Sequence, residues 1–147
     1  MKLSTKSRYG TRLMLDLAKH YGDGYVQLKD IAAREDISLK YLEQIMIPLK
    51  KAKLVKSVRG AGGGYMLARS PAEISVAQIF EAIEGPPGVE ACGLGPGGCV
   101  RAQECVTREL WERMLGAAME VLADTTLADL VERLPHPPQV SPSDSTI

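Results

Sequence analysis

The sequence predicts a mainly α fold with one small β wing, and three observations carry that expectation. Apolar residues recur at helical spacing in four segments before residue 84 and again after residue 105. Two short β-type runs, residues 54–59 and 65–68, meet across the glycine-rich tip Gly60-Ala61-Gly62-Gly63-Gly64. Between residues 85 and 105 the stretch GPPGVEACGLGPGGCVRAQEC is too rich in glycine and proline for a regular helix or a buried strand. With 147 residues, 45% hydrophobic and 24% charged, the chain has the size of one domain with an appendage. Seven aromatic residues leave the core to Leu, Ile, Val, Met and Ala.

Taken in order, Ser7 is a suitable N-cap for a first helix with Leu13, Met14, Leu17, Ala18 and Tyr21 at helical spacing, ended by Gly22-Asp23-Gly24. Tyr25-Val26-Gln27 is a short extended piece. A second helix spans residues 28–35 and buries Leu28, Ile31 and Ala32. Asp36-Ile37 turns the chain, and Ser38 caps a third helix reaching about residue 49. There Leu39, Leu42, Ile45, Met46 and Leu49 form the apolar stripe, while Lys40, Glu43, Gln44 and Ile47 share the other side. Pro48 lacks a donor for the Gln44 carbonyl and is expected to end or kink this helix. Helix, short turn and helix with base-reading side chains outside is the helix-turn-helix arrangement, and the following hairpin is then a wing with Arg59 at its root.

The glycines of the hairpin do not make a nucleotide loop. A dinucleotide fingerprint from Gly60 would need glycine at position 65, which is Tyr65, and the Gly-Lys-Ser/Thr of a phosphate loop is absent. Ser75 and Gln78 form a capping box for a fourth helix through Ile79, Phe80 and Ile83 to about residue 84. A long helix from about residue 101 to 123 carries nine apolar positions, too wide a stripe for one docking surface. It is expected to cover both its own domain and a two-fold partner. A last short helix covers residues 127–134.

The overall fold class is therefore a winged helix-turn-helix domain plus a long C-terminal dimerisation helix. The expected division is a DNA-binding domain at 1–84, a cysteine-containing loop at 85–105, the dimerisation helix and short C-terminal helix at 106–134, and a disordered Pro/Ser-rich tail at 135–147.

Net charge is zero, yet residues 1–69 hold 14 Lys+Arg against 6 Asp+Glu, a net +8, and residues 70–147 hold 4 against 12, a net −8. A basic half suits a polyanion such as duplex DNA. No apolar run approaches the roughly 18 residues of a membrane span. The odd cysteine count and the lack of an apolar export signal point to a reducing, cytoplasmic setting. No nucleophile–base pair, carboxylate dyad or cofactor fingerprint emerges, so an enzyme is not expected.

The segments KLSTKSRYG, ISLKYLEQI and VRGAGGGY, the three spaced cysteines, CVTRELW and TTLADLV run in one register over about residues 1–134. In these the chain resembles iron–sulfur winged-helix transcriptional regulators of the IscR/NsrR type. The resemblance implies a homodimer on an imperfect palindromic operator in double-stranded DNA, crossed at its long helices, with a cluster in the loop tuning affinity or sequence preference. It also implies a third helix in the major groove and a wing arginine in the minor groove, at positions matching Lys40, Tyr41, Glu43, Gln44 and Arg59.

Side-chain chemistry agrees with those roles. Glu43 only accepts hydrogen bonds, and cytosine N4 is the donor it would meet in the major groove. Arg59 beside glycine can reach a narrow minor groove. Arg8, Tyr9, Ser38, Lys40 and Tyr41 suit phosphate or positioning contacts, with Tyr9 equally placed to be a core aromatic.

Cys92, Cys99 and Cys105 are the metal-ligand candidates, at a spacing that is neither zinc-ribbon nor ferredoxin. In the IscR branch a histidine three residues after the last cysteine completes the site, and here Arg108 stands there. In some NsrR-type members an acidic residue near the partner's N-terminus does so, and here that position is Arg8. The remaining candidates for a fourth ligand are Glu90, Glu104, Thr107 and Glu109, or the iron is left open to water, a small ligand or a thiol. An open iron favours a 4Fe-4S over a 2Fe-2S cluster. Two other readings stand beside cluster gating: a cluster-free regulator sensing through its thiols, and a cluster carrier or electron-transfer module.

Overall fold

The structure, a computed structural model, describes residues 3–86 and 98–135. Among these residues, six α-helices and one two-stranded antiparallel sheet follow the mainly α, winged pattern expected. They are α1 (Thr5–Lys19), α2 (Leu28–Glu35), α3 (Leu39–Lys51), β1 (Val55–Val58), β2 (Gly64–Leu67), α4 (Val76–Glu84), α5 (Val106–Asp124) and α6 (Leu127–Glu132). The disordered tail expected after residue 135 lies outside the described residues, as does Cys92.

One core serves α1, α2, α3, α4 and α6. Leu13, Met14 and Leu17 of α1 meet Ile31, Leu42, Ile45, Leu49, Ile79 and Leu127, all essentially inaccessible to water. The aliphatic stripes set this arrangement, since each helix must turn its apolar side inward. Gly10 lets α1 and α4 approach closely, because a Cβ there would collide with Ile83. α6 is returned to this core by two backbone hydrogen bonds, Val76 N–H to Thr125 O at 2.8 Å and Leu127 N–H to Ile74 O at 2.9 Å.

Local expectations are corrected in three helices. α1 begins one turn earlier than expected: Ser4 is the N-cap and accepts from the Ser7 N–H at 3.0 Å, while the Ser7 hydroxyl donates instead to Glu84 at the end of α4. Tyr21 falls beyond the helix, whose C-cap is His20, and is exposed. α3 runs through Pro48 to Lys51. The Gln44 carbonyl that loses its donor belongs to an exposed residue, open to solvent, and buried Ile45, Met46 and Leu49 hold both sides of the proline. Leu39, at the first position of α3, is exposed and not part of the stripe. Finally, α5 starts at Val106, not near residue 101. Residues 100–104 form a turn, with Ala102 N–H on Cys99 O at 3.1 Å, and Cys105 is extended (φ −87°, ψ 108°), which separates turn from helix.

The Ser38 cap, the Ser75/Gln78 capping box and the hairpin form as expected. Ser38 Oγ accepts from Tyr41 N–H at 3.1 Å, and Ser75 N–H donates to Gln78 Oε1 at 3.0 Å. β1 and β2 pair in the register Val55–Leu67 to Val58–Gly64, and Val26 joins the wing through a reciprocal pair of 2.8 Å bonds with Tyr65. Gly64, at φ 148°, permits this third bridge because a Cβ would strike the Val26 carbonyl.

Candidate nucleic-acid interface and cysteine segment

The α2–α3 corner is a short turn in which Asp36 takes the left-handed conformation (φ 52°) and Ile37 is buried. The buried side of α3 is Leu42, Ile45, Met46 and Leu49. Lys40, Glu43 and Gln44 consequently lie together on its exposed side, with Ile47, Lys50 and Lys51. Ser38 uses one oxygen lone pair on the cap and keeps its hydroxyl hydrogen for an outside acceptor. Arg59 is exposed where β1 ends and the glycine tip begins. None of Lys40, Lys50, Lys51, Lys53, Lys56 or Arg59 is in an ion pair among the described residues. The last four lysines were not singled out from the sequence, although the run Lys50-Lys51-Ala52-Lys53 is the signal for them.

Tyr9 and Tyr41 come together edge to face, ring centroids 5.8 Å apart at 88°. Both are partly buried against the core, so Tyr9 is at once a packing aromatic and a support for the start of α3. The Arg12 guanidinium lies over the Tyr9 ring at 5.6 Å and donates to Glu35 Oε2 at 2.9 Å and Glu35 O at 2.8 Å, tying α1 to the end of α2. Arg8 is exposed on the first turn of α1 and is not brought to this cluster.

A second tie between α1 and α2 is buried. Asp16, 0% exposed, accepts from Arg34 Nε at 2.9 Å and a terminal Arg34 nitrogen at 2.7 Å. These hydrogen bonds raise the Arg34 pKa above the ordinary arginine value. His20 Nδ1 stands 3.4 Å from the same carboxylate. The sequence carried a sign of this pair, because Asp16 interrupts the stripe of Leu13, Met14 and Leu17.

The cysteine segment is anchored at both ends. At its start, the Glu84 carboxylate accepts from the hydroxyls of Ser4 and Ser7, and those bonds, Ser4 first, hold its pKa below the usual glutamate value. At its end Cys105 occupies the N-cap position of α5, its Sγ 3.0 Å from Thr107 Oγ1. The Thr107 hydroxyl, followed by the Arg108 and Thr107 backbone N–H groups, lowers the Cys105 pKa and biases it toward thiolate. Arg108 is engaged elsewhere, donating to Glu112 Oε1 at 2.7 Å and to the Ala102 carbonyl at 3.0 Å. Cys99 is exposed and Cys105 half-exposed, and neither is in a disulfide.

Among the described residues no group of three His, Cys, Asp or Glu side chains converges on one point, and Cys92 and Glu90 lie outside them. Glu104 and Glu109 are exposed with no side-chain partner among the described residues, so of the candidate fourth ligands only Thr107 is seen beside a cysteine. Two accessible thiols around one turn, one of them biased to thiolate, fit the donor chemistry of an iron–sulfur cluster.

No residue of the 19-residue helix α5 is buried. Val106, Leu110, Trp111, Met114 and Val121 are exposed on it, an apolar side without a partner among the described residues. Beside it runs an apolar groove of about 350 Å³ bordered by Leu3, Thr11 and Leu15 of the α1 region, Val76 and Phe80 of α4, and Leu122 of α5. None of the described helices is long and apolar enough to cross a membrane.

Comparison with known proteins agrees with this architecture. The family model Rrf2, described as an iron-dependent transcriptional regulator, matches residues 3–133. The HTH-type transcriptional regulator CymR of Bacillus subtilis is 45% identical over 130 residues, 88% of this chain and 89% of the relative. The structure of CymR, the global cysteine regulator of B. subtilis, superposes with a TM-score of 0.77 at 43% identity, covering 92% of this chain and 99% of the other. That of T. potens IscR does so with a TM-score of 0.75 at 41% identity, covering 93% and 94%. With a winged fold shared along nearly its whole length, the chain belongs to the Rrf2 family of transcriptional regulators.

Proposed function

We propose that this protein is a homodimeric, DNA-binding transcriptional regulator of the IscR/NsrR type, gated by an iron–sulfur cluster on Cys92, Cys99 and Cys105. The observation that carries the gating is the place of the cysteine segment. One end is held through Glu84 to Ser4 and Ser7, next to Arg8; the other is the N-cap of α5.

In this reading α3 enters the major groove, where Glu43 and Gln44 meet base edges, and Arg59 on the wing enters the minor groove, with Arg8, Ser38, Lys40 and Tyr41 on phosphates. Tyr9 acts on DNA through its edge-to-face contact with Tyr41. The exposed side of α5 seats against a second copy, because an exposed apolar row including Leu110, Trp111 and Met114 marks an interaction surface. A palindromic operator follows from the two-fold symmetry of such a dimer. When bound, the cluster supplies a redox- and ligand-sensitive iron centre. This chain's own residues convert its presence into geometry: Cys105 fixes the first turn of α5, α5 sets the spacing of the two wings, and Glu84 relays the other end of the segment to α1. Cys92, Cys99 and Cys105 would hold the cluster and would leave one iron without a cysteine ligand, which favours a 4Fe-4S over a 2Fe-2S cluster.

Counting iron and sulfide after anaerobic reconstitution, with absorption spectra, tests the cluster. About four of each per chain, lost in Cys92→Ala, Cys99→Ala and Cys105→Ala, supports it; two of each would assign a 2Fe-2S cluster, and none would refute it. A second reading, in which the thiols themselves sense oxidants, draws on the thiolate bias of Cys105. Unmodified thiols by mass spectrometry after exposure to air would refute that one.

A further inference from the structure

The outward side of α3 carries charge or amide at Lys40, Glu43, Gln44 and Lys50, and among them stands Ile47, 67% exposed. Core packing does not account for it, since the buried stripe is Leu42, Ile45, Met46 and Leu49. Helix propensity does not either, because a β-branched residue is less favourable in a helix than the lysines and glutamate around it. Ile47 follows Glu43 by four positions and Gln44 by three, so the three side chains adjoin on one face.

The major groove presents one apolar group to such a face, the 5-methyl of thymine. An isoleucine in a helix holds one dominant χ1 rotamer, and Ile47 lies within α3. The aliphatic group is therefore preorganised, and a contact with it loses little conformational freedom.

We propose that Ile47 is a specificity determinant that packs against a thymine 5-methyl one step along the groove from the base edge met by Glu43. The assignment rests on α3 being the DNA-reading helix. Its test uses full-length wild-type protein, Ile47→Ala and Lys40→Ala. Each is titrated with a duplex selected by the wild type from random-sequence DNA, and with copies in which each thymine in turn is replaced by deoxyuridine, which removes only the methyl.

At one thymine of the site the replacement lowers wild-type affinity about 3- to 5-fold, the worth of one buried methyl. Ile47→Ala binds the two duplexes equally. A wild-type affinity unchanged at every deoxyuridine, or an Ile47→Ala response matching the wild type, overturns the assignment. If Lys40→Ala also binds every duplex as the wild type does, the reading of α3 as the DNA helix fails with it. If Lys40→Ala weakens binding throughout, only the Ile47 assignment falls. Ile47 makes no core contact, so equal thermal melts for wild type and Ile47→Ala confirm that the comparison is between folded proteins.

Discussion

Replacing either member of the Asp16–Arg34 pair separates a packing role from an electrostatic one. Asp16 is 0% exposed and Arg34 is 41% exposed, so the two deletions leave different orphans. In Asp16→Ala the guanidinium turns to water, and the cost is two charge-assisted hydrogen bonds and a small void, about 2 kcal/mol. In Arg34→Met the carboxylate stays buried with only His20 nearby, and the cost is about 3–5 kcal/mol, as for other broken buried pairs. For a chain of this size each kcal/mol moves the melting temperature by about 2–4 °C. Urea and thermal unfolding at fixed protein concentration should therefore show Arg34→Met as the less stable, by at least about 2 °C. Equal melting temperatures, or the reverse order, would refute the argument that burial of the carboxylate dominates this tie between α1 and α2.

Lys40→Ala should weaken DNA binding across all sequences and flatten its salt dependence by about one counterion. Glu43→Ala should instead relax discrimination at a single base pair by about 1–3 kcal/mol; identical effects in a binding-selection assay would remove Glu43 as a reader. Leu110→Glu with Trp111→Glu should leave the core intact, since neither residue is buried, but yield a monomer by light scattering; a surviving dimer would put the interface elsewhere. Glu84 has a folded-state pKa below its unfolded value, so its contribution to stability is complete above the ordinary glutamate range and is lost as pH falls through the lowered value. Glu84→Gln should therefore be less stable than the wild type near neutral pH, and the gap should close below about pH 4. A gap that is constant with pH would exclude the serine–carboxylate bonds as its cause.

Much of the scaffold was legible because local rules and the fold agree in it. The stripe of α3 places Lys40, Glu43 and Gln44 outside without any knowledge of the tertiary structure, and the hairpin is marked by glycines that its backbone requires. The misplaced ends have causes that apolar spacing does not carry. Ser4 and Ser7 are both able caps; the helix starts from Ser4, and Ser7, buried one turn further in, gives its hydroxyl to Glu84, 77 residues away. Ala102 stands at helical spacing before Val106, which extends the apparent helix backward, but extended Cys105 interrupts the backbone. Pairings such as Tyr9 with Tyr41 or Arg12 with Glu35 join separate helices, and no local spacing encodes them. Arg108, marked in the sequence only as a residue unable to ligate a metal, proves to brace the turn beneath Cys105 through the Ala102 carbonyl.

The central claim, that the cysteine segment governs DNA binding, is tested most directly by titrating one selected duplex with anaerobic cluster-loaded protein and with the same protein stripped of its cluster. Iron and sulfide are counted in both. The account predicts affinities differing by about tenfold or more, a coupling of ~1.4 kcal/mol, and loss of that difference in Cys105→Ala. Equal affinities of fully loaded and cluster-free protein for every duplex selected by either form would contradict it.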